Sequence, residues 1–294
     1  DDPLGSTPKF EGYNNESAID GKIGYLENSF LLFGATKQNS KDEINKKELD
    51  SSGYYITNSN AFDKLVLTES LRFDKYDLFD SKTTGKIGAK YNIADDISLS
   101  GNYGTSYKVP SIDQLYGKYW SSWTNSWVVY GDKDLNPETT KSKDISITYK
   151  HIKAIYFYNE VTDLIGSDSN YNYTQVEGTS KIKGYEISYQ NEVHQDLLFD
   201  LKYMNQSAKN EKQEDLQRRI YENLKINADY YGIAKWHFGT NINYVGERYD
   251  DLAKTKQTGK YTIVNAVANY DVSKTLKTYL KIDNLTDRLY QEVY

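Results

Sequence analysis

Three of the four tryptophans, Trp120, Trp123 and Trp127, fall within a few residues of one another, and Tyr116, Tyr119 and Tyr130 flank them. A rigid aromatic cluster of this density suits a large planar ligand, stacking on its apolar faces and hydrogen-bonding its edges. The same residues would equally serve to pack neighbouring loops or to sit at a membrane interface, and both readings stand. Tyr171 and Tyr173 repeat the pattern on a smaller scale. Arg218-Arg219 offers guanidinium groups to an anionic ligand or to acids facing a polar interior, and pairing with such acids is the structural reading. The carboxylate pairs Asp95-Asp96, Glu214-Asp215 and Asp250-Asp251 sit among turn-forming residues, where solvated turn acids are expected rather than a general acid–base pair. Three scattered histidines (His151, His194, His237) and the absence of cysteine leave no set for a metal. No Ser/His/Asp order and no Gly-rich phosphate loop is present. The chemistry on offer is binding: no enzyme, no cofactor and no metal site is expected.

Something must hold these residues in place, and the composition narrows what it is. With 36 Lys+Arg against 42 Asp+Glu the formal charge is −6, which excludes a basic nucleic-acid binder. No run approaches the roughly 18 consecutive apolar residues of a membrane-spanning helix. Yet 29 tyrosines, with 4 tryptophans and 9 phenylalanines, are too many for a disordered acidic chain. The opening Asp1-Asp2-Pro3 has neither the basic start nor the apolar stretch of a signal peptide, as in a mature, truncated or cytosolic chain.

Alternation is the dominant pattern. Ile145, Ile147 and Tyr149 interleave with Asp144, Ser146 and Thr148; Tyr185, Ile187 and Tyr189 with Glu186, Ser188 and Gln190; Phe199, Leu201 and Tyr203 with Asp200 and Lys202. The same period runs through Leu224 to Tyr230, Trp236 to Tyr244 and Leu276 to Asp283. Breakers divide the chain into about 14 strands. Tight connections (Ala94-Asp95-Asp96, Lys150-His151, Glu192 to Asp196) alternate with long polar ones (Lys108 to Thr140, Asn205 to Gln217, Glu247 to Lys260). Short turns at one end and long loops at the other are the signature of an antiparallel transmembrane β-barrel. Aromatics at strand ends, Tyr103 with Tyr107, Tyr230 with Tyr231, and Tyr270, fit interfacial girdles. A soluble β-sandwich alternates too, but segments such as Tyr171 to Asn191 and Lys235 to Glu247 exceed ordinary strand lengths. A dry core would also reject Asp200, Lys202, Asp229 and Lys281, which a wet or plugged lumen accepts. These four, with Arg218 and Arg219, are the candidate lumen-lining residues.

Several segments carry a resemblance. Gly101-Asn102-Tyr103-Gly104-Thr105-Ser106-Tyr107-Lys108-Val109-Pro110 leads through a loop to Asp134-Leu135-Asn136-Pro137-Glu138. Tyr156 to Ile165 ends in Asp163-Leu164-Ile165, and Gly178-Thr179-Ser180-Lys181-Ile182-Lys183-Gly184-Tyr185-Glu186 follows. Leu216-Gln217-Arg218-Arg219, Gly246-Glu247-Arg248-Tyr249-Asp250 and Asp283-Asn284-Leu285-Thr286-Asp287-Arg288-Leu289-Tyr290 complete the series. In this order and spacing they resemble the TonB-dependent outer-membrane receptors, most of all the vitamin B12 (cobalamin) receptors, over about Ser51 to Tyr294. Departures are Asp132-Lys133 in place of a first Asn-Pro, and Thr286 in place of the usual Phe. The resemblance implies a bacterial outer-membrane barrel of about 22 strands closed by a plug. Residues 1–294 would then be a partial barrel domain, short by about seven or eight strands, with no plug and no TonB box. It implies a receptor that takes up a scarce small molecule, cobalamin first, with outer-membrane lipid and, through a plug, the TonB complex as partners. A ferric-siderophore receptor and a plugless pore or nonfunctional fragment remain alternatives. Haem is disfavoured because no histidine lies between Lys108 and Pro137, where haem receptors of this superfamily carry one.

Overall fold

The computed structural model describes residues 11–121 and 123–292. In chain order the strands are β1 (Gly12–Leu26), β2 (Ser29–Asp42), β3 (Lys47–Phe62), β4 (Leu65–Tyr76), β5 (Lys82–Ala94) and β6 (Ile97–Lys108). A one-turn helix α1 (Ile112–Tyr116) and two short strands, β7 (Lys118–Ser121) and β8 (Ser126–Val129), come next. Then follow β9 (Glu138–Tyr149), β10 (Ile152–Thr162), the short β11 (Ile165–Ser167) and β12 (Tyr173–Gln175), β13 (Thr179–His194) and β14 (Leu197–Lys209). The last four are β15 (Glu222–Tyr230), β16 (Trp236–Val245), β17 (Tyr261–Asp271) and β18 (Lys277–Ile282).

Fourteen of these strands form one antiparallel sheet in sequence order, while β7–β8 and β11–β12 are separate hairpins within the loops. The expected all-β, up-and-down meander of 14 strands is what the chain adopts. One expected segment differs: Tyr171 to Asn191 is not a single strand but β12 followed by β13. Gly178 between them has φ +73°, and a Cβ there would strike the Glu211 side chain, so the backbone breaks where only glycine fits.

Turn chemistry sets the two ends. At one end two-residue turns join β1 to β2, β3 to β4 and β9 to β10, with Asn28, Asp63 and Lys150 at φ 58°, 49° and 50°, as tight hairpins demand. The other end carries the long links 109–137, 163–178, 210–221 and 246–260, together with the brief links 43–46 and 77–81.

Register gives each face a distinct chemistry. Tyr149, Ile152, Tyr189, Leu201, Ile226 and Ile242 stand opposite one another from β9 to β16, and the row continues to Val264 on β17. At the short-turn end of the same face Trp236 lies 4.6 Å from Tyr270 and stacks on Phe238. This is an apolar outer face with an aromatic margin. The opposite, inner face holds a ladder of amides: Asn227 donates to Asp200 (3.0 Å), Asn241 to Asn227 (2.7 Å) and Asn265 to Asn241 (3.2 Å), on directly paired residues. Each polar group is satisfied by its cross-strand neighbour, so the face tolerates partial burial. Asp200, Lys202, Asp229 and Lys281 all share this inner parity, Asp229 lying in one row with Gly239, Val267 and Lys281. His237 joins them, its Nε2 2.7 Å from Asp229 and its ring stacked on Tyr231.

Among the described residues, buried apolar side chains gather at the loop end of the inner face and within the loops. Val161 and Ala208, with Ile182, meet Leu164 and Leu216 from the loops, and this cluster fastens the loops onto the sheet. Among the described residues β1 and β18 pair along one side only.

Candidate ligand-binding site

The site is built where the loops fold over the inner face, and it starts from a helix cap. After Pro110 ends β6, Ser111 caps α1: its hydroxyl accepts from the Gln114 amide (3.2 Å) while Gln114 accepts from the Ser111 amide (2.9 Å). Ile112 and Leu115 are buried, which turns Asp113 the other way. Asp113 then accepts hydrogen bonds from two phenols, Tyr130 (2.6 Å) and Tyr173 (3.2 Å), the second of them 60 positions away. The Tyr173 amide donates to the Tyr130 carbonyl (2.8 Å), so backbone and side chains join links 109–137 and 163–178. Tyr119 and Tyr173 pack on either side of Tyr130, at ring separations of 6.2 and 6.0 Å. Burial, followed by the Asp113 carboxylate, pushes the Tyr130 phenol far above its ordinary pKa and raises Tyr173 as well. Both hydroxyls therefore remain donors at any physiological pH.

A second set of ties fixes the far side. Asp168 caps its own loop by accepting from the Asn170 and Asn172 amides and the Asn172 side chain, which holds its carboxyl below the usual aspartate range. Tyr171, at φ 64°, is presented beyond it, with Lys256 Nζ 2.6 Å from its hydroxyl and the Arg218 guanidinium 6.0 Å from its ring. Arg218 itself grips Asp250, Nε at 2.6 Å and an Nη at 3.2 Å, joining links 210–221 and 246–260. Lys254 bonds Asp215 (2.5 Å) between the same two links. Asn136, in the Asn136-Pro137 box, is clasped through its backbone by the Gln175 side chain.

These ties enclose a cavity of about 1260 Å³, large enough for a bulky ligand. Of the aromatic candidates, Tyr119, Tyr130, Tyr171 and Tyr173 line it. Trp120, Trp123, Trp127 and Tyr116 do not. Within β7 and β8, Tyr119 and its partner Val128 line the cavity, while Trp120 and Trp127, on the other parity and paired across the hairpin 5.7 Å apart, do not; Lys118, with its Nζ 4.9 Å over the Trp127 ring, borders the cavity from that second side. Trp123 at the hairpin tip is 88% exposed, and Tyr116 lies under the Lys47 ammonium. Arg218 and Arg219 line the cavity from the loop, above the strands that carry the inner-face residues.

Two residues were misread or missed in sequence. Asp250 is not a solvated turn acid: its side chain is fully buried against Arg218, although Asp251 does serve the turn, accepting from the Thr255 and Lys256 amides. Asp113 was not singled out, and the capping pattern Ser111-x-x-Gln114 was the available signal for it. Among the described residues no group of acids, histidines or cysteines could hold a metal ion.

A sheet with an apolar outer face, a polar inner face and long loops folded over one end has the two-sided build of an outer-membrane barrel. Residues 7–285 match the β-barrel of the TonB dependent receptor-like family, and the chain belongs to that family of bacterial outer-membrane receptors. It is 30% identical over 287 residues to the vitamin B12 transporter BtuB of Vibrio cholerae, covering 91% of this chain and 44% of that protein. It is 26% identical over 270 residues to BtuB of Photobacterium profundum, covering 86% and 42%. The chain thus spans less than half the length of the curated relatives it matches. Among solved structures, a mutant ferric enterobactin receptor (PfeA) from Pseudomonas aeruginosa shares the fold with TM-score 0.74 at 17% identity, over 94% of this chain and 48% of that one. The ferripyoverdine receptor of the same organism gives TM-score 0.70 at 17% identity, over 98% and 47%.

Proposed function

We propose that this chain is part of the barrel of a TonB-dependent receptor whose loop cavity captures cobalamin for energised uptake. The observation that carries this reading is the cavity lining. Asp113, Tyr130 and Tyr173 set polar groups among aromatic rings, which matches a broad corrin ring fringed by neutral amides. The lining carries six carboxylates, of which Glu177 pairs with Lys212 and Asp215 with Lys209 and Lys254; the other four (Asp42, Asp113, Asp168, Glu214) stand against three basic groups (Lys118, Arg218, Arg219). A ferric catecholate, which is multiply anionic, would meet like charge there. The kinship to proteins named vitamin B12 transporters supports the same ligand. The barrel performs no chemistry on its cargo. The free edges of β1 and β18 would cost unpaired backbone groups in lipid, and we assign their partners to further strands of the receptor. A plug engaged by the TonB complex would supply the energy.

The Asp113→Ala change tests the cavity. Removing a carboxylate that accepts two phenol hydrogen bonds costs about 1.5–3 kcal/mol, so cobalamin binding to the assembled receptor should weaken about tenfold or more. The double change Trp120→Ala with Trp123→Ala, at the hairpin surface, should weaken it by less. An Asp113→Ala receptor that assembles and binds cobalamin like the parent would refute the assignment.

A further inference from the structure

One position breaks the pattern of the outer face. From the short-turn end the outer residues of β4 are Leu65, Leu67, Glu69, Leu71 and Phe73, so a carboxyl stands in the middle of an apolar run. Its row continues through Ile87 on β5 to Tyr103 on β6, both exposed, while the neighbouring Arg72 points inward and bonds Asp74 and Thr36. Among the described residues Glu69 is the one acid of the outer face with apolar residues on both sides of it along its own strand. It is not alone. Asn58 stands opposite it on β3, and Asn60 follows one outward step nearer the turn, opposite Leu67. The Asn58 side-chain amide donates to Glu69 (3.2 Å), and the Tyr25 hydroxyl from β1 reaches the side-chain carbonyl oxygens of Asn58 (2.7 Å) and Asn60. Among the described residues no cation pairs with Glu69, and the Asn60 side-chain nitrogen donates to nothing.

These groups satisfy one another only in part. Two amide hydrogens on Asn60 and most of the accepting capacity of the Glu69 carboxyl are left over, and they face hydrocarbon chains that neither donate nor accept. An ionisable side chain at such a place calls for a partner within the membrane. Spare donors and spare acceptors lie here on adjacent strands, one outward step apart. A patch of one kind alone would need a partner of the opposite kind, whereas this mixed one is complementary to its own copy turned about a two-fold axis. Gly85 and Ala89 on β5 and Gly101 on β6 carry the outer face beside it, and small residues let two membrane-embedded surfaces approach closely. We propose that the receptor pairs with a second copy of itself through the outer faces of β3 and β4, the asparagine amides of each copy donating to the Glu69 carboxyl of the other. The proposal is independent of the cavity's ligand.

The test uses the full receptor in its own outer membrane. Residues 1–294 contain no cysteine, so single cysteines are introduced on the outer face, oxidised with copper phenanthroline and read by the intact mass of the product. Leu67→Cys and Leu71→Cys, on either side of Glu69, should give a disulfide-linked dimer at one position or both. Ile147→Cys and Ile226→Cys, on the outer faces of β9 and β15, should give at least about tenfold less. In the cross-linking background, Asn58→Leu with Asn60→Leu and Glu69→Leu should lower the dimer at least about tenfold, because symmetry makes each lost hydrogen bond count twice. Heat-modifiable migration reports assembly; if the triple variant fails to assemble, Asn60→Leu and Glu69→Leu are measured singly, each expected to lower the yield. No dimer at Leu67 or Leu71, equal yields at Ile147 and Ile226, a disulfide to a different protein in place of the dimer, or an undiminished yield in the leucine variants would overturn the proposal.

Discussion

Replacing Arg218 by alanine is expected to free the loop 246–260 from the rim and to speed exchange of its protected amides about a hundredfold. Asp250 has no exposed side-chain surface and receives both of its guanidinium hydrogen bonds from Arg218. Removing the cation leaves a carboxylate buried without compensation, which costs about 3 kcal/mol, the low end of the usual range because Arg218 itself is half-exposed. The amides that should report it are those of Asp250, bonded to the Lys256 carbonyl, and Thr258, bonded to the Arg248 carbonyl. Removing both partners, as in Arg218→Ala with Asp250→Ala, should cost less than Arg218→Ala alone, since no orphaned charge remains. The sheet itself should be unaffected, because the pair lies wholly within the loops. Exchange by mass spectrometry on the membrane-embedded receptor measures this; a change of twofold or less in those amides would mean that the ion pair does not hold the rim.

The second large effect belongs to the outer face. Ile226 sits in the middle of β15 between Leu201 and Ile242, away from both ends of the apolar band. Arginine there should destabilise the barrel by about 2–4 kcal/mol, as expected for a cation near the bilayer midplane. The adjacent Lys225 points inward, and Lys225→Arg should be close to neutral. The contrast between neighbouring positions is what a two-sided strand requires, and denaturant unfolding in lipid vesicles reads it. Equal tolerance at both positions would exclude a lipid-facing role for this row.

Most of the sheet was legible because strand alternation is local. Ile145 and Ile147, or Phe199 and Leu201, declare an apolar face over a few residues, and Asp200, Lys202 and Asp229 then fall on the other by parity alone. The cavity was less legible because its parts come from distant segments. Nothing near Asp113 announces Tyr173, and nothing near Asp250 announces Arg218; each pair forms only when two long loops dock. The tryptophans show how chain density and facing direction part company. Density along the chain suggested one aromatic surface, yet in β7 the consecutive residues Tyr119 and Trp120 must point to opposite sides. The period that identified the long strands also governs this four-residue one, and it separates the cavity's tyrosines from the exposed tryptophans.

The loop cavity is proposed to admit a bulky, largely neutral corrin in preference to an anionic iron chelate. Equilibrium binding of radiolabelled cyanocobalamin to outer membranes that carry the receptor, in competition with unlabelled cyanocobalamin and with ferric enterobactin, tests it directly. Saturable binding, displaced by unlabelled cyanocobalamin and undisturbed by ferric enterobactin, is the expected result. Saturable binding of ferric enterobactin with none of cyanocobalamin would contradict it.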